Sequence, residues 1–363
     1  MTKLIKDRFN DKTLRQFALD IQAVYPQFAV AEFVKATTGG KWHDLELKER
    51  IYQISATLGK FLPPYENAIE IIDKVVESSQ GGLHGFWIFP TFVQIYGQAE
   101  ENWDITIEAL ARYTKYSTSE FAVRPFIIKN EQRMRKQLLA WAQADDEHIR
   151  RLASEGCRPQ LPWAQGLQAY KNDPTPLLPI LQQLNSDPAL YVRKSVANNL
   201  NDISKTHPDL VVDLAKRWYG QNEATNWIVK HGCRTLLKKG NRDVLAIFGY
   251  HDIESLTITN FTLKEATVLL GDSLTFSLTI QTTVATKLRL EYGVDYVKAG
   301  GKRNQKIFQI SETALKANET RTYTKKHALA NLSTRKHYPG THSITLIVNG
   351  RACGTRDFEL VTN

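Results

Sequence analysis

The sequence predicts two domains of different class, an N-terminal all-α solenoid of helical repeats followed by an all-β sandwich. Three observations carry this. The apolar period is helical up to about residue 250 and becomes two after His251. A short phrase, Ser119-Glu120-Phe121-Ala122-Val123-Arg124-Pro125, returns as Ser154-Glu155-Gly156-Cys157-Arg158-Pro159, with its glutamates 35 residues apart. The charge is also uneven: residues 256–363 hold 15 Lys and Arg against 8 Asp and Glu, and the remainder holds 32 against 30.

In the first half, Val211, Leu214, Ala215 and Trp218 follow the i, i+3, i+4, i+7 rule of an amphipathic helix. Pro208 suits its first turn and Gly220 its end. Leu177–Leu184 reads as another helix, stopped by Asn185-Ser-Asp-Pro188. Ile149–Glu155, Val192–Asn198 and, more loosely, Ile228–Arg234 align with one another at steps of 43 and 36 residues. Those steps are the length of HEAT-like helix pairs, whose second helices line one wall.

After His251, Leu274, Phe276, Leu278 and Ile280 alternate with polar residues, the pattern of a strand with one buried face. Leu288, Leu290 and Tyr292 repeat it, as do Ile344, Leu346 and Val348. Asn349-Gly350 then predicts a tight hairpin into Arg351–Val361. About seven short strands suggest an immunoglobulin-like sandwich, without the disulfide and tryptophan of antibody domains. The expected domains are residues 1–253 and 257–363.

At 363 residues the chain is long enough for two cores. No run approaches the ~18 apolar residues of a membrane span, and the first residues hold no apolar leader core. Three widely separated cysteines fit a reduced, cytoplasmic setting. A net charge of +9, most of it in the sandwich, points to a polyanion, most simply nucleic acid. No CxxC pair, HExxH or phosphate-binding glycine loop is present, so neither metal nor cofactor is expected. Asp145-Asp-Glu-His148 has ligand-type residues, but four adjacent positions on a helix cannot all face one ion.

Glu120, Glu155 and Asp202 are each placed near the end of an inner helix, with Arg124, Arg151, Arg158 and Arg193 close in sequence. Acids and arginines on repeat helices often simply pair. Two copies of one phrase argue for more, because surface charge alone gives no reason to keep it. Trp163, in Pro159-Gln-Leu-Pro162-Trp163, reads either as a core wedge or as an aromatic packing on a sugar or base. Phe121 and Tyr113 are weaker aromatic candidates. Lys298, Lys302, Arg303 and Lys306 surround Gly300-Gly301, and Arg335, Lys336 and His337 precede Tyr338-Pro339-Gly340. Both clusters suit phosphate contacts.

The Ser-Glu-Phe-Ala-Val-Arg-Pro-Phe run at 119–126 resembles the bacterial AlkC-type DNA alkylation repair glycosylases. So do the Ser-Glu-Gly-Cys-Arg-Pro-x-Leu-Pro-Trp run at 154–163 and Val192–Ser204. That group is related to the AlkD type within the HEAT-like repeat superfamily, and some members carry a C-terminal immunoglobulin-like domain. The resemblance implies a monofunctional enzyme, acting as a bacterial cytoplasmic monomer on double-stranded DNA that contains alkylated bases. It would remove cationic 3-methyladenine and 3-methylcytosine without conventional base flipping. Glu120, Glu155 and Asp202 would be catalytic, and Trp163, Phe121 and Arg151 would bind the lesion. Arg124, Arg158, Arg193, Lys194, Lys302, Arg303, Lys306, Arg335 and Lys336 would contact DNA. The competing expectation is a non-catalytic helical-repeat scaffold, since fold alone does not fix function.

Overall fold

The computed structural model describes residues 4–78, 82–251, 254–332 and 335–362. Residues 1–3, read above for a leader, and the expected domain limit at 253 lie outside the described residues. The helices are α1 (Asp11–Val24), α2 (Val30–Thr37), α3 (Leu47–Phe61), α4 (Tyr65–Ser78), α5 (Ile88–Tyr96), α6 (Trp103–Tyr113), α7 (Arg124–Lys129) and α8 (Glu131–Trp141). They continue as α9 (Glu147–Gly156), α10 (Gln168–Asn172), α11 (Leu178–Gln183), α12 (Leu190–Ile203), α13 (Pro208–Trp218), α14 (Glu223–Gly232), α15 (Arg234–Lys238) and α16 (Arg242–Ile247). The strands are β1 (Leu256–Leu263), β2 (Thr267–Leu269), β3 (Ser273–Thr282), β4 (Thr286–Val297), β5 (Arg303–Leu315), β6 (Thr320–Ala328), β7 (Gly340–Val348) and β8 (Arg351–Val361).

The chain forms two compact units, Met1–Thr206 with Asn222–Gly232, and His207–Gln221 with Cys233–Asn363. In the first unit α3 packs on α5 and α5 on α6, and further along α9 packs on α12 and α12 on α14. The first two segments aligned in sequence therefore lie within the neighbours α9 and α12, and the third begins in α14, the next neighbour, and runs past its end. Local chemistry starts these helices. The Asp146 carboxylate accepts from the amides of His148 at 2.9 Å and Ile149 at 3.3 Å, which caps α9. The acidic run at 145–148 is thus explained by a helix start. The Asp187 Oδ1 accepts from the Ala189 amide at 2.8 Å just ahead of α12. The same buried carboxylate takes the Arg150 Nε of α9 at 2.6 Å and ties the two helices together.

The second unit holds the sandwich with α13, α15 and α16. Its sheets run β1-β3-β6 and β2-β8-β7-β4-β5. Leu274, Phe276, Leu278 and Ile280 of β3 are fully buried, as the alternation requires, and they meet Leu288, Leu290, Ile344, Leu346 and Leu360 in one core. Asn349 and Gly350 have φ of 46° and 76°, the paired positive values of a type I′ turn. Lys287 of β4 donates to the Phe248 carbonyl at 2.7 Å, and the Asn349 amide group donates to the His251 carbonyl at 2.9 Å. The last helical segment is therefore part of the sandwich unit, although its period is that of the repeats.

Candidate functional site

Glu155 stands on the last turn of α9 and Asp202 on the last turn of α12. Glu120 departs from the expected helix end. It lies in a turn, and Arg124 then begins α7 with Pro125 in the first turn, where a missing N–H costs nothing. The first phrase opens a helix and the second closes one.

The side chains nevertheless converge into one row of alternating charge. Arg151 on α9 places Nη1 2.5 Å from Glu120 Oε2 and Nη2 3.7 Å from Glu155 Oε1. Arg158 donates from Nη1 to the same Glu155 oxygen at 2.6 Å, and from Nε to Asp202 Oδ2 at 2.9 Å. Lys205 closes the row on Asp202 Oδ1 at 2.9 Å. Three carboxylates alternate with three cations, so no like charges sit adjacent and unscreened in a poorly solvated place. Thr118 donates to Glu120 Oε2 at 2.9 Å and fixes the turn. Arg151 also lies 4.8 Å from the Tyr191 ring, a cation–π contact that holds its plane. Arg151 and Arg158 both meet Glu155 at Oε1, and Arg151 and Thr118 both meet Glu120 at Oε2, whereas both oxygens of Asp202 are engaged.

The helix ends are themselves pinned. Ser154 and Ser195 share a hydrogen bond at 2.7 Å, and Asn199 donates to the Ser154 carbonyl at 3.0 Å. Gly156 permits the close approach of the two phrases, because a Cβ there would lie 2.6 Å from Val123 Cγ1. Arg124 does not face solvent as a phosphate contact should. It is 2% exposed and donates to the carbonyls of Gln165 at 2.8 Å, Gly156 at 2.9 Å and Arg158 at 3.0 Å. Burial lowers its pKa to about 10. Arg158 is likewise enclosed by its carboxylates, so these two arginines hold the site rather than reach outward.

Trp163 is 69% exposed with φ of 65°, a left-handed conformation that a bulky residue adopts only under constraint. It is no core wedge. Phe121 is half-buried and lies 5.2 Å from the Trp87 ring. Tyr113, by contrast, is core, packed 6.2 Å from Phe89. Arg193 turns back to the carbonyls of Asp187 and Pro188, and Lys194 is exposed.

In the sandwich, Lys302, Lys306 and Lys336 are exposed, whereas the two arginines anchor loops. Arg303 bonds Ser343 at 2.9 Å and the Thr341 carbonyl at 2.7 Å. Arg335 donates to the Tyr296 hydroxyl at 2.9 Å. That hydroxyl in turn meets His327 Nε2 at 2.6 Å, while His327 Nδ1 meets Tyr292 at 3.0 Å. Burial, with the Arg335 charge nearby, pushes His327 down to about 4.

Sequence reasoning missed Lys205, Tyr191, Thr118, Ser195, Asn199 and Lys48. Lys205 had a signal, its i+3 spacing from Asp202. The Lys48 Nζ donates to the Trp163 carbonyl across 115 positions, and no local pattern announces that.

Among the described residues no helix is long and apolar enough to cross a membrane. A family model described as "DNA alkylation repair enzyme" matches residues 93–236, and one described as "Uncharacterised protein YhaZ, C-terminal Ig-like domain" matches residues 257–362. The chain is 44% identical over 357 residues to the uncharacterized protein YhaZ of Bacillus subtilis (strain 168), covering 98% of this chain and 99% of that one. It also matches the structure of Pseudomonas fluorescens alkylpurine DNA glycosylase AlkC bound to DNA containing an abasic site analog. That match has a TM-score of 0.95 at 34% identity and covers 99% of this chain and 100% of the other. With both halves matched in order and nearly end to end, the chain belongs to the AlkC-type DNA alkylation repair enzymes, DNA glycosylases with a helical-repeat region and a C-terminal immunoglobulin-like domain.

Proposed function

We propose that this chain hydrolyses the N-glycosidic bond of cationic N3-alkylated bases, 3-methyladenine and 3-methylcytosine, in double-stranded DNA. The observation that carries the reading is Arg151, a single guanidinium that bridges Glu120, at Oε2, and Glu155, at Oε1. A base methylated at N3 is positively charged and leaves as a neutral molecule, taking the electron pair of the C1′–N bond. No general acid is needed. The deoxyribose left behind is oxocarbenium-like, and fixed carboxylates stabilise that charge as it develops. Water then adds to C1′ and gives up its proton to a carboxylate, leaving an abasic site.

The residues divide this work. Glu120 and Glu155 face the sugar and the attacking water. Asp202, with both oxygens occupied by Arg158 and Lys205, acts mainly by fixing Arg158 and through it Glu155. Removing one preorganised charge of this kind costs on the order of 10²–10³ in rate. Trp163 presents an exposed face that suits packing on the deoxyribose, with the base left outside a closed pocket. Lys194, Lys302, Lys306 and Lys336 contribute phosphate contacts. Each phosphate contact contributes about 0.9 to the slope of log affinity against log salt.

The experiment is incubation of the protein with methylated duplex DNA. Free 3-methyladenine and 3-methylcytosine should appear with one abasic site per base released, and borohydride should trap no covalent adduct. Duplex binding without base release would contradict the reading. Replacing Lys302, Lys306 and Lys336 together by Ala should weaken duplex binding and flatten its salt dependence; an unchanged slope would remove those lysines from the DNA contact.

A further inference from the structure

Lys48 enters this region from far away in sequence. It sits in the first turn of α3, and its Nζ donates to the backbone carbonyl of Trp163. The same Nζ lies 5.3 Å from the centre of the Phe121 ring. Lys48, Phe121, Trp87, Tyr52, Ala164 and Gln165 line a cleft of about 340 Å³. Lys48 remains exposed as a residue, and partial desolvation against this surface lowers its pKa.

Trp163 is the residue that most needs such a partner. Its backbone is left-handed and its indole is 69% exposed, so packing of the ring cannot hold it. A non-glycine residue at positive φ persists only where the surroundings over-determine it. The loop around it is closed at its base by the Leu167 amide, which donates to the Pro159 carbonyl at 3.1 Å. Arg124, which lines the same cleft, holds the loop through the Gln165 carbonyl at 2.8 Å. Two cations thus each take a main-chain carbonyl of the loop, and Lys48 takes the one belonging to the strained residue itself.

We propose that Lys48 is a positioning residue that sets the angle of the Trp163 ring toward the lesion, and that it acts through the Trp163 carbonyl rather than through DNA phosphate. The proposal rests on the reading above that Trp163 faces the lesion. Although Lys48 is exposed, its ammonium is already engaged by a protein carbonyl and lies over the Phe121 ring, so it is not a free side chain awaiting a phosphate.

The test is a double-mutant cycle in single-turnover release of 3-methyladenine, with Lys48→Met, Trp163→Ala and the pair, each checked for an unchanged melting temperature. Lys48→Met keeps the apolar stem and loses the donor; a misplacement of about 1 Å can cost about 10²-fold, so a loss of about tenfold or more is expected. In the Trp163→Ala background the same change should cost nothing further. Lys48→Arg, which still reaches the carbonyl, should restore much of the rate. An equal loss in both backgrounds, or a salt slope of duplex binding reduced by about 0.9 in Lys48→Met, would overturn the proposal and make Lys48 a DNA contact.

A second readout is independent of activity. With 5-fluorotryptophan incorporated, the Trp163 signal, assigned by its loss in Trp163→Ala, should shift or broaden in Lys48→Met and stay near its position in Lys48→Arg. An unmoved signal in Lys48→Met would sink the tether. A moved signal with base release intact would instead remove Trp163 from the lesion site, which is failure of the reading beneath the proposal and overturns it by that route.

Discussion

The two Ser-Glu phrases share a spelling and differ in almost everything the backbone does with it. In the first, four positions separate Glu120 from Arg124; in the second, three separate Glu155 from Arg158. The first enters α7 and the second leaves α9. Arg124 reaches forward onto the backbone of the second phrase, at the carbonyls of Gly156 and Arg158. Arg158 reaches back to Glu155 and across to Asp202. One arginine is a backbone clamp and the other a bridge between carboxylates. The lesson is that the repeat is one of side-chain pairing more than of fold: what recurs is a glutamate held by an arginine, and the arginine that holds Glu120 is Arg151, from the neighbouring helix rather than from its own phrase.

The sharpest way to break this comparison is to remove the bridge. Arg158→Met leaves Glu155 and Asp202 enclosed without their shared cation, and should destabilise the protein by about 3–5 kcal/mol. Denaturant unfolding checks this. Because Lys205 still meets Asp202, the Arg158→Met, Glu155→Gln double variant should regain part of that loss. Additive losses would show that Arg158 does not work through Glu155.

Next in size is the contrast between Asp202 and the two glutamates. If Asp202 serves Arg158 and not the sugar, Asp202→Asn should lower stability more than it lowers the rate in the folded fraction. Urea midpoints beside single-turnover rates separate the two. A rate loss on the order of 10²–10³ at unchanged stability would move Asp202 into direct contact with the reaction.

Acid separates the charged row from one polar network of the sandwich, in which His327 lies between the hydroxyls of Tyr292 and Tyr296. His327 titrates at about 4 when folded against an ordinary value of 6.5. The unfolded state therefore takes up the proton first as pH falls. The stability that rests on neutral His327 is complete above about pH 6.5 and is lost progressively toward pH 4. The effect should be roughly 2–3 kcal/mol. The pH dependence of unfolding should flatten across that window in His327→Gln, and a profile identical to that of the parent would contradict it.

The smallest effect concerns the serines that open the phrases. Ser119 donates to the Leu110 carbonyl at 2.7 Å, a bond within its own neighbourhood, whereas Ser154 bonds Ser195 and so joins α9 to α12. Each substitution to Ala should cost about 1 kcal/mol. Only Ser154→Ala should show coupling to Ser195→Ala in a double-mutant cycle. Absence of coupling would mean the pair is not what registers the two carboxylate-bearing helices.

Much of this was legible in the sequence because it is written in short periods. The alternation of Leu274 to Ile280, the Asn349-Gly350 turn and the helix of Val211 to Trp218 each depend on neighbours a few positions away. The glutamate phrases were legible because they repeat. The turn under Glu120 was not, since its placement follows from Pro125 starting α7 and from the close approach that Gly156 allows to Val123. Arg124 could not be told from a surface arginine, because its partners are carbonyls 32 to 41 positions away and carbonyls leave no mark on side-chain sequence. Lys48 and Trp163 form the extreme case.

The central claim is that Glu120 and Glu155, bridged by Arg151, carry the reaction. It is tested most directly by single-turnover release of 3-methyladenine from methylated duplex DNA by the parent, Glu120→Gln and Glu155→Gln, with duplex affinity and melting temperature measured alongside. Each variant should remain folded, bind DNA near the parent affinity and release base on the order of 10²–10³ more slowly. Full activity in both folded variants would contradict the account.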